Sequence, residues 1–221
     1  MVGPLAFGEV LTKNLPLFLT GYKNTLLLVA VAFAGSLILG TLVAVLRLAP
    51  VPILPALARA EVELFRNIPL VIQMSFLFIG LGSIGLRMTP FTAAAIALTV
   101  YTGAFVTESV RSGIAAVGAG QIEAARSMGM GFIQTYQLVV LPQALRTVIP
   151  PLGNLMIAMV KNSAIAAAIA YPELLYQSDL VDSRTFQTFE IFTGTLAGFL
   201  SITLPLSYVV SRLEKRLSIV R

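Results

Sequence analysis

The chain has 221 residues, 57% of them hydrophobic and only 11% charged, with a formal net charge of +5. Water-facing domains carry about a quarter charged residues, so this composition excludes an ordinary soluble domain and indicates an integral membrane protein. It contains no cysteine and no histidine, which excludes disulfides, thiol chemistry, the usual zinc and copper ligand sets and the neutral-pH proton shuttle.

A spanning helix needs about 20 apolar residues. Residues 5–19 read as an irregular amphipathic segment broken by Pro16, lying along the outer interface within an N-terminal segment, 1–23. The charge-free run 24–46 predicts a first crossing, and without a small-x-small cleavage site it reads as a retained span and not a signal peptide. Further charge-free runs at 67–86, 88–107 and 191–211 predict three more. The run 147–172, interrupted only by Lys161, completes five. Backbone groups in lipid must bond internally, so all five are expected to be helices. They define a transmembrane domain over 24–214 and a tail over 215–221.

Five crossings put the termini on opposite sides. With the N-terminus outside, the cytoplasmic segments hold Arg47, Arg59, Arg66, Arg111, Arg126, Arg146, Arg212, Lys215, Arg216 and Arg221, against Lys13, Lys23, Arg87 and Arg184 outside. That asymmetry follows the positive-inside rule and places the C-terminus in the cytoplasm. The cations sit between apolar segments and form no basic face, so a nucleic-acid partner is not expected. Outside, 173–190 carries Asp179 and Asp182 with one cation. Five helices are few for enclosing a solute path, so a dimer is expected. Gly194 and Gly198 offer one small-xxx-small surface for it.

Between the third and fourth crossings the pattern changes. The stretch GQIEAARSMGMGFIQTYQLVVLPQALR, at 120–146, carries Glu123, Arg126 and two closely spaced glycines. Residues 121–128 suit a short helix with Glu123 in its first turn, where the dipole favours a carboxylate. Arg126 lies three residues on, in reach of it. Ile122, Ala125 and Met128 or Gly129 share one face at helical spacing. Gly129 suits the left-handed position that ends a helix, and Gly131 frees the next turn. A second helical piece follows before Leu141 and Pro142 redirect the chain into the bilayer. Small Ala124 and Ala125 would let such a knob enter a partner groove, with methionines adapting to its shape. An amphipathic linker lying on lipid is the competing reading.

The order Glu123-Ala124-Ala125, Gly129, then VVLP at 139–142 resembles the "EAA" loop of the permease subunits of ABC importers. FRNIPL at 65–70 with Gln73, AFVTESVRSGI at 104–114, LPQALR at 141–146, PPLGN at 150–154, KNS at 161–163 and LEKRL at 213–217 are similar to the polar amino-acid uptake permeases, over nearly the whole chain. The resemblance implies an all-α membrane protein of five transmembrane helices with the type I ABC importer permease fold. It implies a cytoplasmic coupling loop at about 112–146, in which Glu123, Ala124, Ala125, Gly129, Leu141 and Pro142 meet an ATP-binding subunit dimer. ATP and magnesium would be held by that partner, since no phosphate-cradling loop occurs in this chain. The other implied partners are a second permease copy or a related subunit, an extracytoplasmic binding protein and an amino acid, in the inner membrane.

Lys161, near the centre of the fourth crossing, is costly there by about 3 kcal/mol unless it faces protein or water. It reads either as half of a structural pair, with Glu108 or a carbonyl at a broken helix, or as lining the solute path with Asn162 and Ser163. Gln73 reads as a helix–helix hydrogen-bonding residue near Pro69, or as path-lining. Glu108 and Arg111 read as an intrahelical pair or part of an inner gate. Where the family often has Lys-Asp-Thr-Ser-Leu, this chain has KNSAI at 161–165, and loss of the aspartate leaves the site net positive. Together with RNIP at 66–69 this resembles the glutamate/aspartate branch and implies an acidic amino acid; glutamine, arginine, histidine or a broad range is the alternative. A stand-alone secondary transporter would need a mid-membrane coupling carboxylate, and the spans hold none. A membrane-embedded enzyme lacks a catalytic set: Lys161 and Ser163, two apart, point in divergent directions.

Overall fold

The computed structural model describes residues 8–47, 49, 51 and 53–217, and among these there is helix but no strand. In chain order the helices are α1 (Glu9–Lys13), α2 (Leu15–Arg47), α3 (Ile53–Asn67), α4 (Leu70–Ser75), α5 (Leu81–Ser83), α6 (Pro90–Ala115), α7 (Ala119–Ser127), α8 (Phe132–Thr135), α9 (Leu141–Asn162), α10 (Leu174–Thr185) and α11 (Thr188–Leu217). Turns of π-helix link α4 to α5 (Phe76–Gly80) and α8 to α9 (Tyr136–Val140), and a 3₁₀ stretch, Ser163–Ile169, continues α9. Four helical units are long and apolar enough to cross a membrane, and the bent pair Ile53–Asn67 and Leu70–Ser83 makes a fifth when taken as one span.

The first crossing is longer than expected. Leu15 and Pro16 open α2, so Pro16 does not break the chain. A proline in a first turn lacks only an N–H that has no helical partner anyway. Residues 5–7 of the expected interfacial segment lie outside the described residues. At the far end, α11 runs unbroken to Leu217, beyond the start expected for a tail.

The second crossing differs most. The charge-free run 67–86 is not one rod: α3 and the α4–α5 unit meet at 99°. Pro69 has no N–H for the Phe65 carbonyl, its would-be helical acceptor. The Gln73 side chain replaces it, its Nε2 donating to Phe65 O at 2.9 Å and Ile68 O at 3.0 Å. The polar side chain expected to bond between helices around a proline break does so here, tying α4 to the end of α3 across the bend.

The expected redirection at Leu141 and Pro142 is also absent, because helix continues from Phe132 to Ile169. The Leu141 N–H donates to the Tyr136 carbonyl five residues back. This widened turn takes in the proline ring just downstream, and the helix continues.

In lipid, helices associate through close packing and not through water exclusion. Ala32 of α2 and Ala93, Ala94, Ala97 and Ala104 of α6 are all at most 1% exposed, and small side chains let α2 and α6 lie close along their contact. Threonines add bonds across it, Thr99 Oγ1 to Ala32 O at 3.3 Å and Thr107 Oγ1 to Gly40 O at 3.1 Å. Gly194 and Gly198 pack within the chain: a Cβ on them would stand 2.6 Å from Leu11 Cδ2 and 2.8 Å from Leu174 Cδ2. The small surface expected to meet another copy is therefore occupied by the chain's own leucines.

At the end opposite Arg47, α10 is locked to α2. Asn24 Nδ2 donates to Pro172 O at 2.8 Å, and Leu174 N–H to Thr25 Oγ1 at 3.2 Å. Glu173, fully buried, caps α10 by accepting from Leu175 N at 2.8 Å and Tyr176 N at 2.7 Å.

Candidate functional site

The predicted site residues lie in the loop between α6 and α9, on the two helices that flank it, and, for Gln73, at the bend beside Pro69. In the loop, α7 ends in a paired-bond cap. The Gly129 N–H donates to Arg126 O at 3.0 Å and the Met130 N–H to Ala125 O at 3.2 Å. That pattern needs a left-handed residue between them, and Gly129 has φ 84°. Gly131 has an ordinary φ of −67° and opens α8. Its N–H bonds Gln134 Oε1 at 3.1 Å, and its carbonyl receives the Thr135 N–H at 2.9 Å.

The faces of α7 divide differently from the expectation. Ala125 is 1% exposed, and Ile122 packs with Val117, Val140 and Ala144 beneath the loop. Glu123, Ala124, Arg126 and Met128 face outward, Met128 at 71% exposure. No ion pair joins Glu123 to Arg126 among the described residues, so both charges are free for a partner. Leu141 and Pro142 sit in the first turn of α9, both exposed. Beneath the loop α6 lies close against α9: a Cβ on Gly113 would collide with Val148 and stand 3.2 Å from Ala144 O.

One turn above that contact, Glu108 accepts from Arg47 on Oε1 and from Arg111 Nη2 on Oε2 at 2.9 Å. Glu108 is thus occupied and does not pair with Lys161. Arg47 was legible only as a topology charge; a carboxylate near a span's end demands cations, and two supply it here.

The α6–α9 groove holds two cavities. One, of about 290 Å³, is lined by Glu108, Ser109, Ser112, Gly113, Thr147 and Pro151. The other, of about 120 Å³, lies farther from the loop between Tyr101, Thr102, Phe105, Leu155, Ala158 and Asn162. Of the residues expected along a solute path, only Asn162 lines it. Lys161 is exposed and has no ion pair among the described residues. Ser163 is fully buried, its hydroxyl donating to Val160 O at 2.7 Å. Gln73 lies at the bend, facing an apolar hollow of about 540 Å³ with Phe65, Ile72 and Phe76. Sequence reasoning missed the aromatic wall, Tyr101 and Phe105, whose rings stand 5.2 Å apart. Their spacing of four on a span was the available signal.

The family described as binding-protein-dependent transport system inner membrane component matches residues 36–219. This chain belongs to that family. Its members' fold recurs in the amino acid ABC transporter solved with histidines: TM-score 0.91 at 34% identity, covering 96% of this chain and 99% of that one. The methionine transporter MetNI in an inward-facing form has the same fold, TM-score 0.78 at 23% identity, over 93% and 98% of the two chains. Among curated relatives, the probable glutamine ABC transporter permease protein GlnM of Bacillus subtilis is 44% identical over 95% of this chain and 97% of its own. The glutamate transport system permease protein GluC of Corynebacterium efficiens is 35% identical over 92% and 95%. The family member described here is therefore a multi-pass amino-acid ABC permease, a transport subunit and not an enzyme. ATP hydrolysis occurs in separate subunits.

Proposed function

We propose that this chain is the membrane path of an ATP-driven, binding-protein-dependent importer of glutamine. The α7–α8 loop lies in the cytoplasm and seats on an ATP-binding subunit dimer that holds ATP and magnesium. The N-terminus lies outside, where a binding protein delivers the amino acid, and a second permease copy or a related subunit completes the path. The observation that carries the coupling role is the two-sided α7: Ile122 and Ala125 root it on the bundle while Ala124 and Met128 stand free. A push on such a rooted knob moves α6 and α9, which flank the groove.

The solute reading is supported by the 44% identity to a probable glutamine permease. Glutamate is the second reading, favoured by the uncompensated cations Arg66 and Lys161. The test is a complex co-expressed with its ATP-binding subunit and reconstituted in vesicles. Crosslinking from Ala124→Cys to that subunit, together with ATP-dependent uptake of glutamine ahead of arginine and histidine, is the expected result. Uptake without any ATPase, or no crosslink, would overturn the reading.

A further inference from the structure

Helix α3 keeps to one edge of the bundle. Its Ala58 and Val62 share a buried cluster with Val43 and Ala104, which lie one turn before Arg47 and Glu108 at the charged ends of α2 and α6. The rest of its surface divides in two. Ile53, Leu57 and Leu64 are exposed and share one face at helical spacing. Arg59 and Arg66, also exposed, lie together on another face, and Glu63 between them leaves that face net positive. A helix with one side on protein, one apolar and one cationic suits the boundary between hydrocarbon and headgroups.

Where α3 ends, the 99° bend opens an apolar hollow of about 540 Å³. Phe65 and Ile68 wall it before the bend, Ile72 and Phe76 beyond it, and Ile96 and Val100 on α6. Gln73, its one polar residue, has its amide N–H groups committed to the Phe65 and Ile68 carbonyls. Such a space offers water no partners, and left empty it forfeits contacts along its walls. In a bilayer a hydrocarbon chain fills it. The hollow leads inward from the charged edge, because Ile96 and Val100 lie deeper in α6 than Ala104. Arg66 follows Phe65 at the edge end, its Cζ 4.9 Å from the centre of the Phe105 ring. Neither Arg59 nor Arg66 makes an ion pair among the described residues, so both keep N–H groups for an anion.

We propose that this elbow holds an anionic glycerophospholipid of the leaflet on the Arg47 and Glu108 side, its phosphate on Arg59 and Arg66 and one acyl chain in the hollow. An anionic headgroup meets these cations with opposite charge at the level where they stand. A second copy would bring the same cations to a two-fold contact, where the patch faces itself. A chain seated there touches α4, α6 and the end of α3 at once, so the lipid braces the bend. The proposal goes beyond the importer reading and rests on it only for naming that leaflet cytoplasmic.

The test is lipid binding to the permease–ATPase complex, purified in detergent, stripped of lipid and followed by native mass spectrometry. The probes are phosphatidylglycerol, phosphatidylcholine with the same chains, and glycerol phosphate as the anion without chains. In the parent complex phosphatidylglycerol binds on the order of tenfold more tightly than phosphatidylcholine, the scale of two cations near an anionic surface. Arg59→Gln combined with Arg66→Gln erases that preference and leaves phosphatidylcholine binding unchanged. Ile72→Trp fills the hollow and weakens both lipids alike. A preference that survives the arginine substitutions, phosphatidylglycerol affinity unmoved by Ile72→Trp, or full displacement by glycerol phosphate overturns the assignment. The chain has no cysteine, so Ile72→Cys reads the rival occupant: a disulfide between two permease copies in native vesicles overturns the assignment too. Co-purification of the ATP-binding subunit with each variant reads the importer architecture separately, since the elbow lies away from the α7–α8 loop.

Discussion

Arg47, the last residue of α2, donates to Oε1 of Glu108, two turns before the end of α6, and the bond closes 61 residues of chain. Arg111 occupies the other oxygen at 2.9 Å. Side chains of Arg47 and Glu108 are only 15% and 23% exposed, so removing the carboxylate strands a poorly solvated cation. Glu108→Ala is expected to cost about 2 kcal/mol, read as a lower midpoint of thermal unfolding by circular dichroism in detergent. Adding Arg47→Met is expected to recover part of that loss. Equal stability of Glu108→Ala and the parent would show the pair to be idle.

At Gly129 the backbone stands at φ 84° with nothing near a built Cβ, so cost comes from conformation alone. Gly129→Ala loses about 1 kcal/mol of loop stability, and Gly129→Val more. Asparagine tolerates the left-handed region, so Gly129→Asn retains stimulation of the partner ATPase. The expected order of stimulation is glycine and asparagine, then alanine, then valine. A valine variant as active as asparagine would refute the link between this turn and coupling.

Ala124 and Ala125 are neighbours with opposite surroundings, one outward and the other 1% exposed. Ala124→Trp is expected to leave the thermal midpoint unchanged and abolish ATPase stimulation. Ala125→Trp overpacks the loop's underside and lowers both. If both substitutions behave alike, α7 has no distinct docking side.

Gln73 donates to the Phe65 carbonyl, which Pro69 leaves unserved, and to the Ile68 carbonyl at the bend. Gln73→Leu leaves both unsatisfied and is expected to destabilise by about 2 kcal/mol. Gln73→Glu, nearly the same shape, cannot donate when ionised and should be no better. Unfolding midpoints that match the parent would mean the bend is held by packing alone.

Burial pushes Glu173 up to about 7, against the Leu175 and Tyr176 amides that favour its charged form, and Asp179 adds repulsion. Its folded pKa thus exceeds the unfolded 4.5, so between those values the folded state holds the extra proton. Stability is full below 4.5 and falls as pH rises through about 7. Glu173→Gln is expected to flatten that slope in unfolding midpoints measured across the window. A slope unchanged by the substitution would place its origin elsewhere.

The long apolar runs at 24–46, 88–107 and 191–211 were legible because length alone demands helix in lipid. Gly129 was legible because few positions other than a left-handed cap call for glycine after a short polar helix. The bend was not: a charge count passes straight over Pro69, and only Gln73, four residues on, hints at a repaired carbonyl. Pro142 was over-read, since a proline stops a helix only where the preceding turn cannot widen. The union of Arg47 with Glu108 depends on how α2 lies against α6, which no local pattern encodes.

The widened turn at Tyr136–Val140 has a consequence for length. A residue advances an α-helix by about 100°, and this turn accommodates one more than its neighbours do. Deleting a single amino acid there would restore ordinary winding and leave Ala124 and Met128 close to their present heading, because the wide turn covers with one more residue about the arc an α-helix covers without it. A one-residue deletion within α9 beyond that turn has no slack to draw on, and at about 100° per residue it should misdirect the contact surface even where every side chain on it is kept.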